Sequence, residues 1–64
     1  MKDWKLRVVE EKKELDEKIA KLSAFIEQEQ FNVIDADEKQ RLIRQEQYMV
    51  EYSLIFAERI ANFE

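Results

Sequence analysis

The chain has 64 residues, a formal net charge of −4, and neither Cys nor His. A core of that size barely offsets chain entropy without disulfides, a metal or association, and the composition removes disulfides and the commonest zinc ligands, leaving association. The acidic balance lacks the basic face of a general nucleic-acid binder, but leaves room for a small anion held by a few well-placed cations.

Charged residues make up 41% of the chain, hydrophobic ones 45%, and Gly and Pro do not occur. That mixture predicts an all-α fold of long uninterrupted helices, each with one apolar stripe. The expectation is one domain, 1–64, folded as an antiparallel two-helix hairpin. No apolar run approaches the roughly 18 residues that span a bilayer, and no signal-peptide pattern opens the chain. A soluble, cytoplasmic protein is expected.

The first helix is predicted from Met1 (its regular part from about residue 3) to about Gln30. Val8, Leu15, Ile19, Leu22 and Ile26 recur at three- and four-residue spacings, with Lys12 as the one charged residue in the stripe. Glu14 with Lys18 and Glu17 with Lys21 are spaced for ion pairs across one turn, each contributing about 0.3–0.5 kcal/mol.

A turn is predicted over about residues 31–35. Asn32 tolerates the conformation that Gly would otherwise supply, and Phe31 and Ile34 are expected to plug the closed end of the hairpin. Asp35 then reads as the N-cap of the next helix, with Glu38 completing a capping-box-like pair.

The second helix is predicted over about residues 36–62. Leu42, Met49, Phe56 and Phe63 repeat every seven residues, flanked by Ile43, Val50 and Ala57, with Ile60 in one further seam position. Tyr48, Leu54 and Ile55 lie further round the cylinder. A two-helix seam needs only a narrow stripe, so this excess predicts that hairpins pack together into a homo-oligomer.

Two ordered sets of residues carry a family resemblance. The first is Trp4, Arg7-Val8-Val9, Glu14-Leu15, Lys18, Lys21-Leu22, Phe25-Ile26 and Phe31. The second is Leu42-Ile43, Gln45, Met49, Tyr52-Ser53, Arg59-Ile60-Ala61 and Phe63. Together they cover nearly the whole chain, which resembles the phage anti-CBASS cyclic-oligonucleotide sponges. The resemblance implies a helical hairpin assembled into a hexamer in the host cytoplasm. It further implies that cyclic dinucleotides such as cyclic GMP-AMP are sequestered between subunits without cleavage, blocking CBASS immunity, and that some members hold cyclic trinucleotides at a separate site.

In that family an aromatic residue near the start of the first helix stacks on a base, and a Lys further along meets the phosphates. Trp4 and Lys18 are the matching positions. The family aromatic is often Tyr; Trp has a larger stacking face but no phenol hydroxyl. Arg59 is the candidate for a trinucleotide site.

Each candidate also has a plainer role. Trp4 can anchor a subunit interface, and Lys18 can be a solvated partner of Glu14. Arg7 and Arg59 match phosphate oxygens as guanidinium forks, although surface arginines are common. Tyr48 and Tyr52 fit packing, with their hydroxyls at the rim. Trp4 and Lys18 are fourteen residues apart, hence on nearly one helix face but about 21 Å apart along the axis. One ligand touching both therefore requires two subunits, or a kink at the helix start.

No catalytic residue and no metal or cofactor site is expected. Catalysis would depend on scattered carboxylates or on Ser23 and Ser53 without a recognisable base. The rival class is a non-enzymatic protein-interaction module whose apolar faces recruit another protein. A DNA mimic has only the modest acidic balance behind it.

Overall fold

The computed structural model describes residues 3–63 of the chain. Helix α1 spans Trp4–Ile26, a single helical turn α2 spans Glu29–Asn32, and α3 spans Ala36–Ala61. The described residues hold no strand. The long helices α1 and α3 pack side by side as an antiparallel hairpin. Met1, Lys2 and Glu64 lie outside the described residues, so the expected helix start at Met1 falls there too.

The helix termini follow local chemistry. Asp3 caps α1, its Oδ1 accepting from the backbone N–H of Lys5 at 3.1 Å. Asp35 occupies the N-cap position of α3 with Asp37 and Glu38 in the first turn, but its side chain makes no capping hydrogen bond. The capping-box-like pair is therefore absent: the Glu38 Oε1 instead accepts from the Arg41 Nε at 2.8 Å. The acidic residues still oppose the positive end of the helix dipole.

The reversal differs from the predicted five-residue turn. The first helix stops at Ile26, not near Gln30, because Gln28 turns extended at φ −83°, ψ 156°. One helical turn follows, and Asp35, at φ −51°, ψ 142°, starts the next helix. Asn32 closes α2, and no described residue has a positive φ. Two extended residues thus make the reversal that a left-handed residue was expected to make, which is how a chain without Gly turns here. The early stop lets Phe31 swing under Phe25, edge to face at 6.2 Å, and become buried. Lys39 caps the other side, its ammonium 5.8 Å from the Phe31 ring centre. Phe31 plugs the closed end as expected, with Ile34 half-buried beside the turn.

Few side chains are fully enclosed. Val8, Phe31 and Phe56 are the buried apolar residues, with Phe56 only 2% exposed. Leu15, Ile19, Leu22 and Ile26 of α1, and Leu42, Met49 and Ile60 of α3 with Phe63 just past its end, are half-buried along the seam. Two side-chain hydrogen bonds cross it among the described residues. Ser53 Oγ donates to Asp16 Oδ1 at 2.5 Å, and Ser23 Oγ donates to a Glu46 carboxylate oxygen. The residue numbers of the two pairs add to the same total, so both bonds select one antiparallel register. Lys12, the charged stripe residue, donates to the other Asp16 oxygen at 2.7 Å. The Glu14–Lys18 and Glu17–Lys21 pairs expected from spacing do not form; among the described residues the ion pairs are Lys12–Asp16 and Glu38–Arg41.

The hairpin is long and thin, 47 × 16 × 15 Å. Its radius of gyration is 14.9 Å, against about 11 Å for a compact chain of this length. No helix among the described residues is long and apolar enough to cross a membrane.

Candidate functional site: a groove between the two long helices

One flank of the hairpin carries a groove floored by the α1–α3 seam. At the open end, Trp4, Arg7, Val8, Glu11 and Arg59 line a concavity of about 200 Å³. Next along the same flank, Glu11, Glu14, Leu15, Lys18, Tyr52 and Phe56 line a second of about 190 Å³. Glu11 borders both, so the two hollows adjoin along the flank. The floor is apolar, with buried Val8 and Phe56, and the walls are charged and aromatic.

The helical repeat explains the alignment. Trp4, Arg7, Glu11, Glu14 and Lys18 follow steps of three and four residues, a single line down α1. On α3, Tyr52 and Arg59 stand seven residues apart and bracket Phe56. Arg59 lies over the Phe56 ring at 5.7 Å, a cation–π contact that braces the guanidinium at the groove edge. Tyr52 stacks on the same Phe56 at 4.7 Å, with 30° between the rings.

Trp4 is half in and half out. Its indole meets Phe63 edge to face at 5.1 Å, 77° between planes, while 54% of the residue remains exposed. The contact fixes the ring against α3 and leaves surface for a further flat partner. It also makes Trp4 part of the open-end packing, where Lys5 sits 5.8 Å from the Phe63 ring centre.

Three of the four candidate ligand residues, Trp4, Arg7 and Arg59, therefore share one hollow, and Lys18 lies in the adjoining one. The groove does not bring Trp4 and Lys18 together within one chain. Helix α1 runs unbroken from Trp4, so no kink at its start shortens the roughly 21 Å between them. Arg7, Glu11, Glu14, Lys18 and Arg59 form no ion pair among the described residues, although Arg7–Glu11 and Glu14–Lys18 have the spacing for one. Unpaired cations facing a hollow are available to an anion.

Two groove residues escape a sequence reading. In sequence Tyr52 reads as a packing residue, yet it also lines the Lys18 hollow; its seven-residue offset from Arg59 is the signal that places both on one face. Glu11 resembles any other surface glutamate in sequence, and only the hollows single it out.

Larger concavities lie elsewhere. On the opposite flank, Val9, Lys12, Lys13, Asp16, Glu17, Ala20 and Ile60 border about 420 Å³, where Lys12 is already engaged by Asp16. Along the outside of α3, about 540 Å³ is bordered by Tyr48, Val50 and Leu54 with Glu46, Gln47 and Glu51, and no cation. Neither combines free cations with an aromatic face, as the groove does.

The Sequestin family model matches residues 2–62. The chain belongs to the Sequestin family. The match covers the whole hairpin, groove included, and agrees with the resemblance to sequestering proteins drawn from the ordered motifs. The family is named for sequestration, a binding role rather than a catalytic one. No curated protein and no solved structure gives a significant match.

Proposed function

We propose that this Sequestin-family chain is a phage anti-defence protein that sequesters cyclic oligonucleotide second messengers, cyclic dinucleotides such as cyclic GMP-AMP foremost, without cleaving them. Its target would be CBASS signalling in the host cytoplasm. The observation that carries it is the groove: an exposed indole, two guanidiniums and an ammonium, none ion-paired among the described residues, lie along one flank over an apolar floor. A cyclic dinucleotide presents two flat bases and two phosphates, which match that set. Stacking on Trp4 contributes about 1–3 kcal/mol per base, and Arg7, Arg59 and Lys18 supply charge-assisted hydrogen bonds to phosphate.

Size supports a site shared between subunits. Each hollow is near 200 Å³, below the roughly 300–1,000 Å³ of sites that enclose drug-sized ligands. Two grooves facing each other double the volume and bring the Trp4 end of one chain to the Lys18 end of another. Assembly of hairpins into a homo-oligomer, a hexamer by family resemblance, is thus part of the proposal. Whether Arg59 serves this site or a separate cyclic-trinucleotide site is decided by titrating each ligand class against Arg59→Ala.

The test is equilibrium dialysis of cyclic GMP-AMP against the wild type, Trp4→Ala and Lys18→Ala, each sized by light scattering. Sequestration predicts bound, chemically intact ligand for the wild type and at least tenfold weaker binding for Lys18→Ala at unchanged assembly size. A protein-interaction module, the rival reading, predicts no binding by any of them and a change of assembly size for Trp4→Ala.

A further inference from the structure

Charge alone does not commend the Lys18 hollow to an anion. One ammonium, Lys18, shares it with two carboxylates, Glu11 and Glu14, whereas the open-end hollow sets two guanidiniums against one carboxylate. A nucleotide held at the Lys18 end needs a further attraction, and the residue placed to give it is Tyr52. We propose that Tyr52 is a second stacking platform, taking a flat base of the ligand beside Lys18. This rests on the sequestration reading above and holds whichever base the ligand carries.

Position, support and surface together single out this ring. The Ser53–Asp16 bond sets the level of the two helices, and Tyr52, one residue before Ser53, stands beside the turn of α1 that carries Lys18. Trp4 is about 21 Å away along α1, so within one chain the indole does not reach a base held at Lys18. Phe56, itself 2% exposed, backs the Tyr52 ring at 4.7 Å with 30° between planes. That support holds the ring in place before a ligand arrives and lowers the ordering cost of binding. Tyr52 nevertheless keeps 53% of its surface exposed, so a ring braced on one side has area to offer a further flat partner. Tyr48 is the contrast: it is more exposed, borders a concavity with no cation, and makes no ring contact among the described residues. Where the Trp4 end of one chain meets the Lys18 end of another, indole and phenol become the two aromatic walls of one site.

The experiment titrates cyclic di-AMP and cyclic GMP-AMP into the wild type, Tyr52→Phe and Tyr52→Leu, with assembly size and urea stability measured for each. Stacking tolerates any base and needs the ring rather than the hydroxyl. Tyr52→Phe should therefore bind within about twofold of the wild type, and Tyr52→Leu about tenfold or more weaker at unchanged assembly size. In NMR spectra of the saturated wild type, base protons should move upfield and show cross-relaxation to the Tyr52 ring. Tyr48, the other tyrosine, is told apart by Tyr48→Phe. That readout needs no change at Tyr52, so it decides the matter where Tyr52→Leu fails to fold or assemble. Wild-type affinity in Tyr52→Leu, an equal loss in Tyr52→Phe, or no contact between Tyr52 and a base at saturation overturns the platform and leaves sequestration standing. Failure of the wild type to bind either nucleotide refutes sequestration itself, and the platform with it.

Discussion

Asp16 faces a lysine of its own helix and a serine of the other one. The hydrogen bond from Lys12 foremost, then that from Ser53, hold its carboxyl below the usual aspartate value, against a smaller upward effect of burial. A carboxyl that is more acidic in the folded state stays ionised after its unfolded counterpart has taken up a proton. Its stabilisation is therefore complete above the ordinary aspartate pKa and is lost as pH falls through the lower, folded value. Asp16→Asn should melt below the wild type at neutral pH, and the two curves should converge in acid, beneath the usual aspartate range. Circular dichroism melts across pH check this; a gap that is the same at every pH removes Asp16 from the acid response. Because the pair is solvent-exposed, added salt should narrow the neutral-pH gap. Ser53→Ala should cost about 1 kcal/mol in urea melts, the usual worth of one such bond. None of this was legible in the sequence. Lys12 was visible as a break in an apolar stripe, but its partner depends on a register that only the packed helices define.

The elements themselves were largely written in periodicity. The seven-residue series through Leu42, Met49, Phe56 and Phe63 faces the seam, and its most enclosed member, Phe56, is the hub of the groove floor. Phe56→Ala should lose about 3–5 kcal/mol, measured by chemical denaturation. It should also release both Tyr52 and Arg59, so binding falls with stability. The end of α1 was not legible. Glu27 and Gln28 are good helix formers, and the break exists because burying Phe31 against Phe25 outweighs two more residues of helix. The candidate site was legible by residue type and incomplete by geometry. Trp4, Arg7, Lys18 and Arg59 do share a flank, but the alignment of Arg59 and Tyr52 with the α1 line requires the rotation of α3 against α1. Packing sets that rotation; composition does not.

As a whole the chain leaves more surface open than a compact protein of its mass. It exposes 5276 Å², against roughly 4,400 Å² for a compact protein of 7.8 kDa. Much of the excess is apolar and on α3: Val50, Leu54 and Ile55 are about half exposed, and Tyr48 is 70% exposed. Patches of this kind mark association surfaces. Multi-angle light scattering at micromolar concentration should report a multiple of the chain mass, and Leu54→Glu should shift it downward. A monomer at that concentration would leave the groove as two shallow hollows, too small to enclose a cyclic dinucleotide. The proposed shared site couples assembly to ligand binding: ligand should raise the melting temperature, and Leu54→Glu should bind less although Leu54 does not line the groove.

The most direct measurement is isothermal titration of cyclic GMP-AMP into the assembled protein, with the ligand recovered afterwards by denaturation and chromatography. Sequestration in a shared groove predicts a saturable heat, fewer than one ligand per chain, and recovery of all the nucleotide unchanged. Absence of heat with cyclic GMP-AMP, cyclic di-GMP and cyclic di-AMP alike, or recovery of a cleaved product, would contradict it.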